Sequence, residues 1–180
     1  MNEKELRNQI IEYGKSLVKN HLIQATWGNI SCRIDDEYFL ITPSGVDYFV
    51  LKPEDIVKVK IDDYSYKGNI KPSSEKVLHG MIYKNKKDVG GIVHVHSSYL
   101  QIFASCHKDL INEKTIYKCS EYAVSGSKKL ANNVYEALEN NNGVIMANHG
   151  FVGIGKDIEL AFNECIKAEE LAKEMVKQKC

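Results

Sequence analysis

No stretch of this sequence approaches the roughly 20 consecutive apolar residues that a bilayer-crossing helix needs. No membrane partner is therefore expected. The opening Met1-Asn2-Glu3-Lys4-Glu5-Leu6-Arg7 is densely charged and lacks the apolar centre of a signal peptide. Neither sign of charge is in excess: Lys plus Arg and Asp plus Glu number 24 each. That balance gives no electrostatic reason to expect nucleic acid, although a small cationic patch can still hold a phosphate. No CxxC pair occurs. The five cysteines, Cys32, Cys106, Cys119, Cys165 and Cys180, are scattered and odd in number. They read as reduced thiols of a cytoplasmic protein rather than a disulfide framework or a thiolate zinc site, with Cys180 an exposed thiol at the chain end. No internal repeat, low-complexity run or dividing linker is present. One domain over residues 1–180 is expected, long enough to bury a core.

What is present is a mixture of two periodicities. Leu6, Ile10, Ile11, Leu17 and Val18 are spaced for one helical face. Thr26 to Asn29 reads as a loop. Phe39 to Ile41 is a short strand, and Thr42-Pro43-Ser44-Gly45 has turn chemistry, with Pro second and Gly fourth. Ile56 to Ile61 alternates as a strand, and residues 62–69 look like a hairpin turn. Pro72-Ser73-Ser74-Glu75 opens a helix, with Ser73 as N-cap and Glu75 in the first turn, where the helix dipole favours an anion. Gly91 to His96 is a buried-looking strand, and a helix follows from about Ser98. Leu130, Val134, Ala137 and Leu138 mark another helix. Val144 to Met146 and Phe151 to Ile154 are strands. Asp157 caps a long final helix whose inner side carries Ile158, Ala161, Phe162, Cys165, Ala168, Ala172 and Met175. Strands and helices mix without strict βαβ alternation, which predicts a mixed α/β domain with helices packed on a central sheet.

His94 and His96 stand two apart on a predicted strand, so both side chains share a face. Two imidazoles amid Ile92, Val93 and Val95 are costly to bury without partners. A shared metal removes that cost. Zinc accepts neutral imidazole nitrogen, and a catalytic site keeps one position open. His149 is the best third ligand, because it follows an apolar strand and Gly150 lets the chain turn directly after it. The plainer alternatives are a satisfied or surface pair for His94 and His96 and a structural role for His149. His21, His79 and His107 lack the strand-end context. His79 lies four residues after Glu75 on one helix face, where it either orients the glutamate or packs. Packing is the plainer reading. Glu75 reads as a general base, an additional metal ligand or an ordinary acidic first-turn residue.

Five segments then occur in one order: Gly28-Asn29, Thr42-Pro43-Ser44-Gly45, Pro72-Ser73-Ser74-Glu75, His94-Val95-His96 and Asn148-His149-Gly150. In this the chain resembles the class II aldolase/adducin family from its first helix to its last, and within it the short L-fuculose-phosphate aldolases. The resemblance implies a three-layer fold, a central mainly antiparallel sheet flanked by helices, assembled as a homotetramer with sites at subunit interfaces. It implies zinc, or another divalent metal, on His94, His96 and His149. It places the catalytic acid/base at Glu75 and the substrate phosphate against Asn29, Ser44, Gly45, Ser73 and Ser74. Without the other motifs, those small residues would be ordinary turn and cap residues. The implied reaction is reversible cleavage of a ketose 1-phosphate to dihydroxyacetone phosphate and a small aldehyde. A tyrosine of the adjoining subunit would donate a proton, and Tyr117 is the candidate. The segment from Thr115 to Tyr122 looks shorter than in better-known members, and a C-terminal tail that helps close the site in some relatives is not expected here. Sister chemistries are sugar-phosphate 4-epimerase, methylthioribulose-phosphate dehydratase and acid-sugar decarboxylase. The epimerases usually carry aspartate where Glu75 stands. An adducin-like binding module is the non-catalytic alternative, and it has no need of intact metal ligands. Schiff-base chemistry needs a desolvated lysine, and the lysines here lie mostly in polar stretches.

Overall fold

The computed structural model of the chain describes residues 2–24 and 26–178, so Cys180 lies outside the described residues. Helix α1 spans Glu3–Lys19, with a capping box in which Asn2 and Glu5 satisfy each other's backbone N–H. Strands β1 (Asn29–Arg33), β2 (Tyr38–Ile41) and β3 (Val57–Lys60) follow. Next come α2 (Lys76–Asn85), β4 (Gly91–Val95) and α3 (Ser98–Ser105). Short strands β5 (Leu110–Ile111), β6 (Ile116–Tyr117) and β7 (Cys119–Ser120) lead to α4 (Lys128–Leu138). Strands β8 (Gly143–Met146) and β9 (Gly150–Gly155) and helix α5 (Ile158–Lys177) complete the chain, with the Asp157 side chain accepting from the Leu160 N–H as N-cap.

Seven strands form one sheet in the order β3-β2-β1-β4-β9-β8-β7, antiparallel throughout except between β7 and β8. Strands β5 and β6 pair separately. Period-two alternation divides the sheet's side chains between two cores. Ile30, Cys32, Val93, Val95 and Phe151 face a layer with the apolar sides of α1, α3 and α5. Phe39, Ile41, Ile92, Val144 and Val152 face the other layer with α2 and α4. This is the expected three-layer fold with a mainly antiparallel sheet. The small residues Ala161, Cys165, Ala168 and Ala172 line the buried side of α5 and let it lie close to the sheet.

Three local expectations are corrected. Asn29, expected in a loop with residues 26–28, instead begins strand β1, which is paired on both sides. Ser73 is not the N-cap of α2. Pro72 bridges Pro43, with Ser73 N–H donating to the Thr42 carbonyl and Ser44 N–H to the Lys71 carbonyl, each at 3.0 Å. That pairing holds Ser73 extended. A turn closed by Lys76 N–H on the Ser73 carbonyl (3.1 Å) then starts the helix, so Glu75 takes the cap position. The hairpin turn expected over residues 62–69 is tighter and earlier, closed by Lys60 N–H on the Ser65 carbonyl at 2.8 Å.

Candidate metal centre and active-site cleft

The centre of the sheet supplies the site. His94 sits near the end of β4, paired with Asn29 of β1 on one side and Val152 of β9 on the other. His96 follows the last residue of β4, its N–H held by the Leu22 carbonyl at 3.0 Å. His149 lies in the tight connection between β8 and β9, where Asn148 adopts φ 54° and donates its N–H to the Ala104 carbonyl at 2.9 Å. Two glycines make this convergence possible. A Cβ at Gly150 would stand 2.3 Å from the Val95 carbonyl and 3.0 Å from the His94 ring. Gly28, at φ 90°, passes so close over β4 that a Cβ would meet the His94 carbonyl at 2.6 Å.

The three rings converge. Their centroids are 4.5, 4.9 and 5.2 Å apart, and one ligand atom from each lies within 4.8 Å of the others. Nδ1 of His94 donates to the Phe151 carbonyl at 3.0 Å, which leaves Nε2 with the lone pair in a neutral ring. That Nε2 is buried and has no hydrogen-bond partner. Burial, reinforced by the neighbouring His149, pushes the His94 pKa well below its ordinary value. Burial, then His94 and His149, push His96 down to about 3. Both rings are therefore uncharged at neutral pH and able to ligate. Glu75, 3% exposed, stands with its oxygens 3.4 Å from His94 Nε2 and 3.1 Å from His149 Nε2. It also accepts from Asn29 Nδ2 and Ser125 Oγ, each at 3.3 Å. Among the described residues no lysine or arginine pairs with it. A buried carboxylate beside two imidazoles, one with an orphaned nitrogen, suits a divalent cation in both charge and donor type.

A cleft of about 390 Å³ opens over this group. All five residues expected to hold phosphate, Asn29, Ser44, Gly45, Ser73 and Ser74, line it together with Glu75 and the three histidines. Four lining residues, Thr26, Trp27, Gln101 and Ser125, escaped the sequence reading. Gln101, five positions after His96, donates to the His149 carbonyl at 2.9 Å and lies 3.4 Å from His96 Nδ1. Trp27 is 58% exposed, with its ring 5.9 Å from that of His96. Ser125 comes from the loop before α4, which carries no motif. His107, set aside on sequence grounds, braces the site from outside: its Nε2 is 2.8 Å from Asn148 Nδ2.

Tyr117 is corrected. Its ring packs edge-on to Phe151 in the core, and its hydroxyl donates to Glu164 at 2.6 Å. Burial, then Glu164, raise the phenol well above its ordinary pKa. At 1% exposure it neither lines the cleft nor offers its hydroxyl to a neighbouring subunit. The reason is local: β6 turns this side chain inward toward α5. No lysine of the described residues is buried, which leaves none desolvated for Schiff-base chemistry.

Residues 8–176 match the family described as Class II Aldolase and Adducin N-terminal domain. The chain belongs to that family. The chain is similar to a 5-deoxy-D-ribulose 1-phosphate aldolase of Bacillus thuringiensis serovar kurstaki, 33% identical over 87% of this chain and 77% of that protein. An L-fuculose phosphate aldolase of Methanococcus maripaludis is 33% identical over 91% of this chain and 92% of its own. A solved L-fuculose 1-phosphate aldolase superposes with a TM-score of 0.92 at 32% identity, over 97% of this chain and 86% of that one. With these relatives the chain is an enzyme, a lyase of the metal-dependent class II kind. The family membership and the three-histidine group agree on a metal centre.

Proposed function

We propose that the chain is a zinc-dependent aldolase that reversibly cleaves a ketose 1-phosphate to dihydroxyacetone phosphate and a small aldehyde. The observation that carries this reading is the convergence of His94, His96 and His149 beside the buried carboxylate of Glu75. Similarity to aldolases named for L-fuculose phosphate and 5-deoxyribulose 1-phosphate supports the substrate class. The chemistry shared by those names is a ketose phosphorylated at its first carbon.

His94, His96 and His149 would hold zinc, which would supply a Lewis acid for the substrate carbonyl. The remaining work falls to side chains of this chain. Asn29, Ser44, Gly45, Ser73 and Ser74 hold the phosphate, using hydroxyls, an amide and backbone N–H groups at the turn before α2. Their closeness to Glu75 fixes the distance from the phosphate to the reacting carbon. Glu75 carries the proton at that carbon. In cleavage the carboxylate takes up the proton that the hydroxyl across the breaking bond loses on becoming the aldehyde, and delivers it to the released carbon. In the synthetic direction it removes the proton from that carbon, and the aldehyde oxygen regains it. Asn29 and Ser125 orient the carboxylate for both steps. Trp27 closes one side of the cleft with an apolar face.

The chain works as one domain over residues 1–180 in the cytoplasm, as a homotetramer with sites at subunit interfaces. The exposed apolar side chains Trp27, Phe49, Val50, Tyr122 and Val124 support the assembly. No helix of the described residues is long and apolar enough to cross a membrane. The test is a panel of ketose 1-phosphates assayed with zinc, alongside metal analysis of fresh protein and its mass in solution. Stoichiometric zinc and release of dihydroxyacetone phosphate are expected. Metal-free protein with no cleavage of any member of the panel would favour a binding module.

A further inference from the structure

Strand β1 and helix α2 face each other through polar side chains at matched intervals. Residues 29, 31 and 33 share one face of β1, and residues 75, 79 and 83 share one face of the α2 segment. Two strand residues advance about 6.6 Å and four helical residues about 6.0 Å, so the two series stay in step over three rungs. The rungs are seen directly. Asn29 Nδ2 donates to Glu75 at 3.3 Å. Ser31 Oγ lies 2.6 Å from His79 Nδ1 and 2.8 Å from the Tyr83 hydroxyl. Arg33 Nη2 donates to the Tyr83 carbonyl at 2.7 Å, and its guanidinium lies over the Tyr83 ring at 4.8 Å.

This strip is an anomaly in its surroundings. On the same face of the sheet, the strands beside β1 carry Phe39, Ile41 and Ile92. Ser31, His79 and Tyr83 are fully buried among them. Buried polar groups that only fill space are replaced by apolar side chains at little cost. Four buried side-chain atoms of the described residues lack a partner: Asn29 Oδ1, Arg33 Nη1, His79 Nε2 and His94 Nε2. Three belong to the strip and the fourth to the metal centre at its end. Polar groups retained at that energetic cost do something other than stabilise the core.

We infer that the strip is a positioning device for Glu75, with His79 as its central positioning residue. This rests on the acid/base reading of Glu75. The metal ligands are held independently, on β4 and on the turn between β8 and β9. Glu75 is held by the start of α2, and His79 N–H donates to the Glu75 carbonyl at 3.1 Å in the first helical turn. Ser31 grips that turn one rung below the carboxylate. Releasing the grip lets α2 shift along β1 and carries the carboxylate away from the reacting carbon without disturbing the three imidazoles.

The test is a double-mutant cycle. In His79→Leu, kcat should fall about a hundredfold, the cost of displacing a catalytic group by about 1 Å. KM should stay within about threefold, because the phosphate contacts are intact. Cobalt(II) titrated into the metal-free protein should bind this variant as it binds wild type. In the Glu75→Gln background, His79→Leu should cost no further turnover, because the effect passes through the carboxylate. His79→Asn, whose amide can meet the Ser31 hydroxyl, should recover part of the loss. Multiplying losses in the Gln background, weakened cobalt binding, or an unchanged kcat would overturn the inference. If His79→Leu does not fold, Ser31→Ala in the same cycle decides on the same criteria. Full turnover in Glu75→Gln alone would instead sink the acid/base reading. An inactive Glu75→Gln beside an unimpaired His79→Leu would sink only the positioning role.

Discussion

Replacing Glu75 by glutamine removes the proposed proton carrier and little else. The carboxylate accepts one hydrogen bond from Asn29 Nδ2 and one from Ser125 Oγ. A glutamine amide can keep both contacts. Its oxygen can accept from Asn29, and its NH₂ can donate to the Ser125 hydroxyl, which accepts as readily as it donates. The stability change should therefore stay within about 1.5 kcal/mol, the net value of one hydrogen bond. All three imidazoles remain, so one metal ion per chain should be retained. Turnover should not survive. Positioned acid–base groups contribute about 10²- to 10⁴-fold, so the variant should lose that factor, about 3–5 kcal/mol of barrier. The assay is release of dihydroxyacetone phosphate at saturating ketose 1-phosphate, with bound metal measured on the same sample. A metal-loaded, folded Glu75→Gln with near wild-type kcat would refute the role assigned to this carboxylate.

His96→Ala should lose metal and turnover together, because two ligands do not complete the set. Unchanged zinc content by elemental analysis would remove His96 from it. Gly150→Ala should destabilise the protein by about 1–3 kcal/mol and weaken metal binding, because the added Cβ meets the Val95 carbonyl and the His94 ring. A denaturation midpoint and metal affinity equal to wild type would contradict the geometry of that turn. Acid should destabilise the metal-free protein in a defined window. His79 titrates at about 4 in the fold, held down by burial, against 6.5 when unperturbed. Between those values the unfolded chain takes up a proton that the native one refuses, so stability falls as pH falls from 6.5 to 4 and this group adds no further loss below. His79 alone contributes about 3 kcal/mol over that window, and His94 and His96 act in the same direction. Urea midpoints that do not fall across it would disprove the neutral, buried state of these rings.

The three converging histidines were legible because the pattern that marks them is local. His94 and His96 share a strand face by period-two geometry, and His149 sits beside the glycine its turn requires. The apolar faces of α1, α4 and α5 were legible for the same kind of reason, since helical spacing marks which side is buried. Strand β1 was not. Its face toward α2 carries Asn29, Ser31 and Arg33, so its alternation gives no apolar signal on that side. Its polar residues are tolerated only because α2 answers them. Tyr117 was misread because a tyrosine on a short strand looks the same in sequence whether it faces solvent or core. Contact with Phe151 and Glu164 decides it.

The sequence alone determined that His94 and His96 share a strand face and that a third histidine stands beside a turn glycine, because both depend on residue type and short-range spacing. The phosphate residues were named only by the order of motifs shared with the family. The tertiary structure alone decided that Glu75 stands against His94 and His149 across 19 and 74 positions of chain, and that Ser31 reaches His79 across 48. Those contacts arise where β1, β4 and the turn between β8 and β9 meet α2, and no local periodicity encodes which strand becomes whose neighbour.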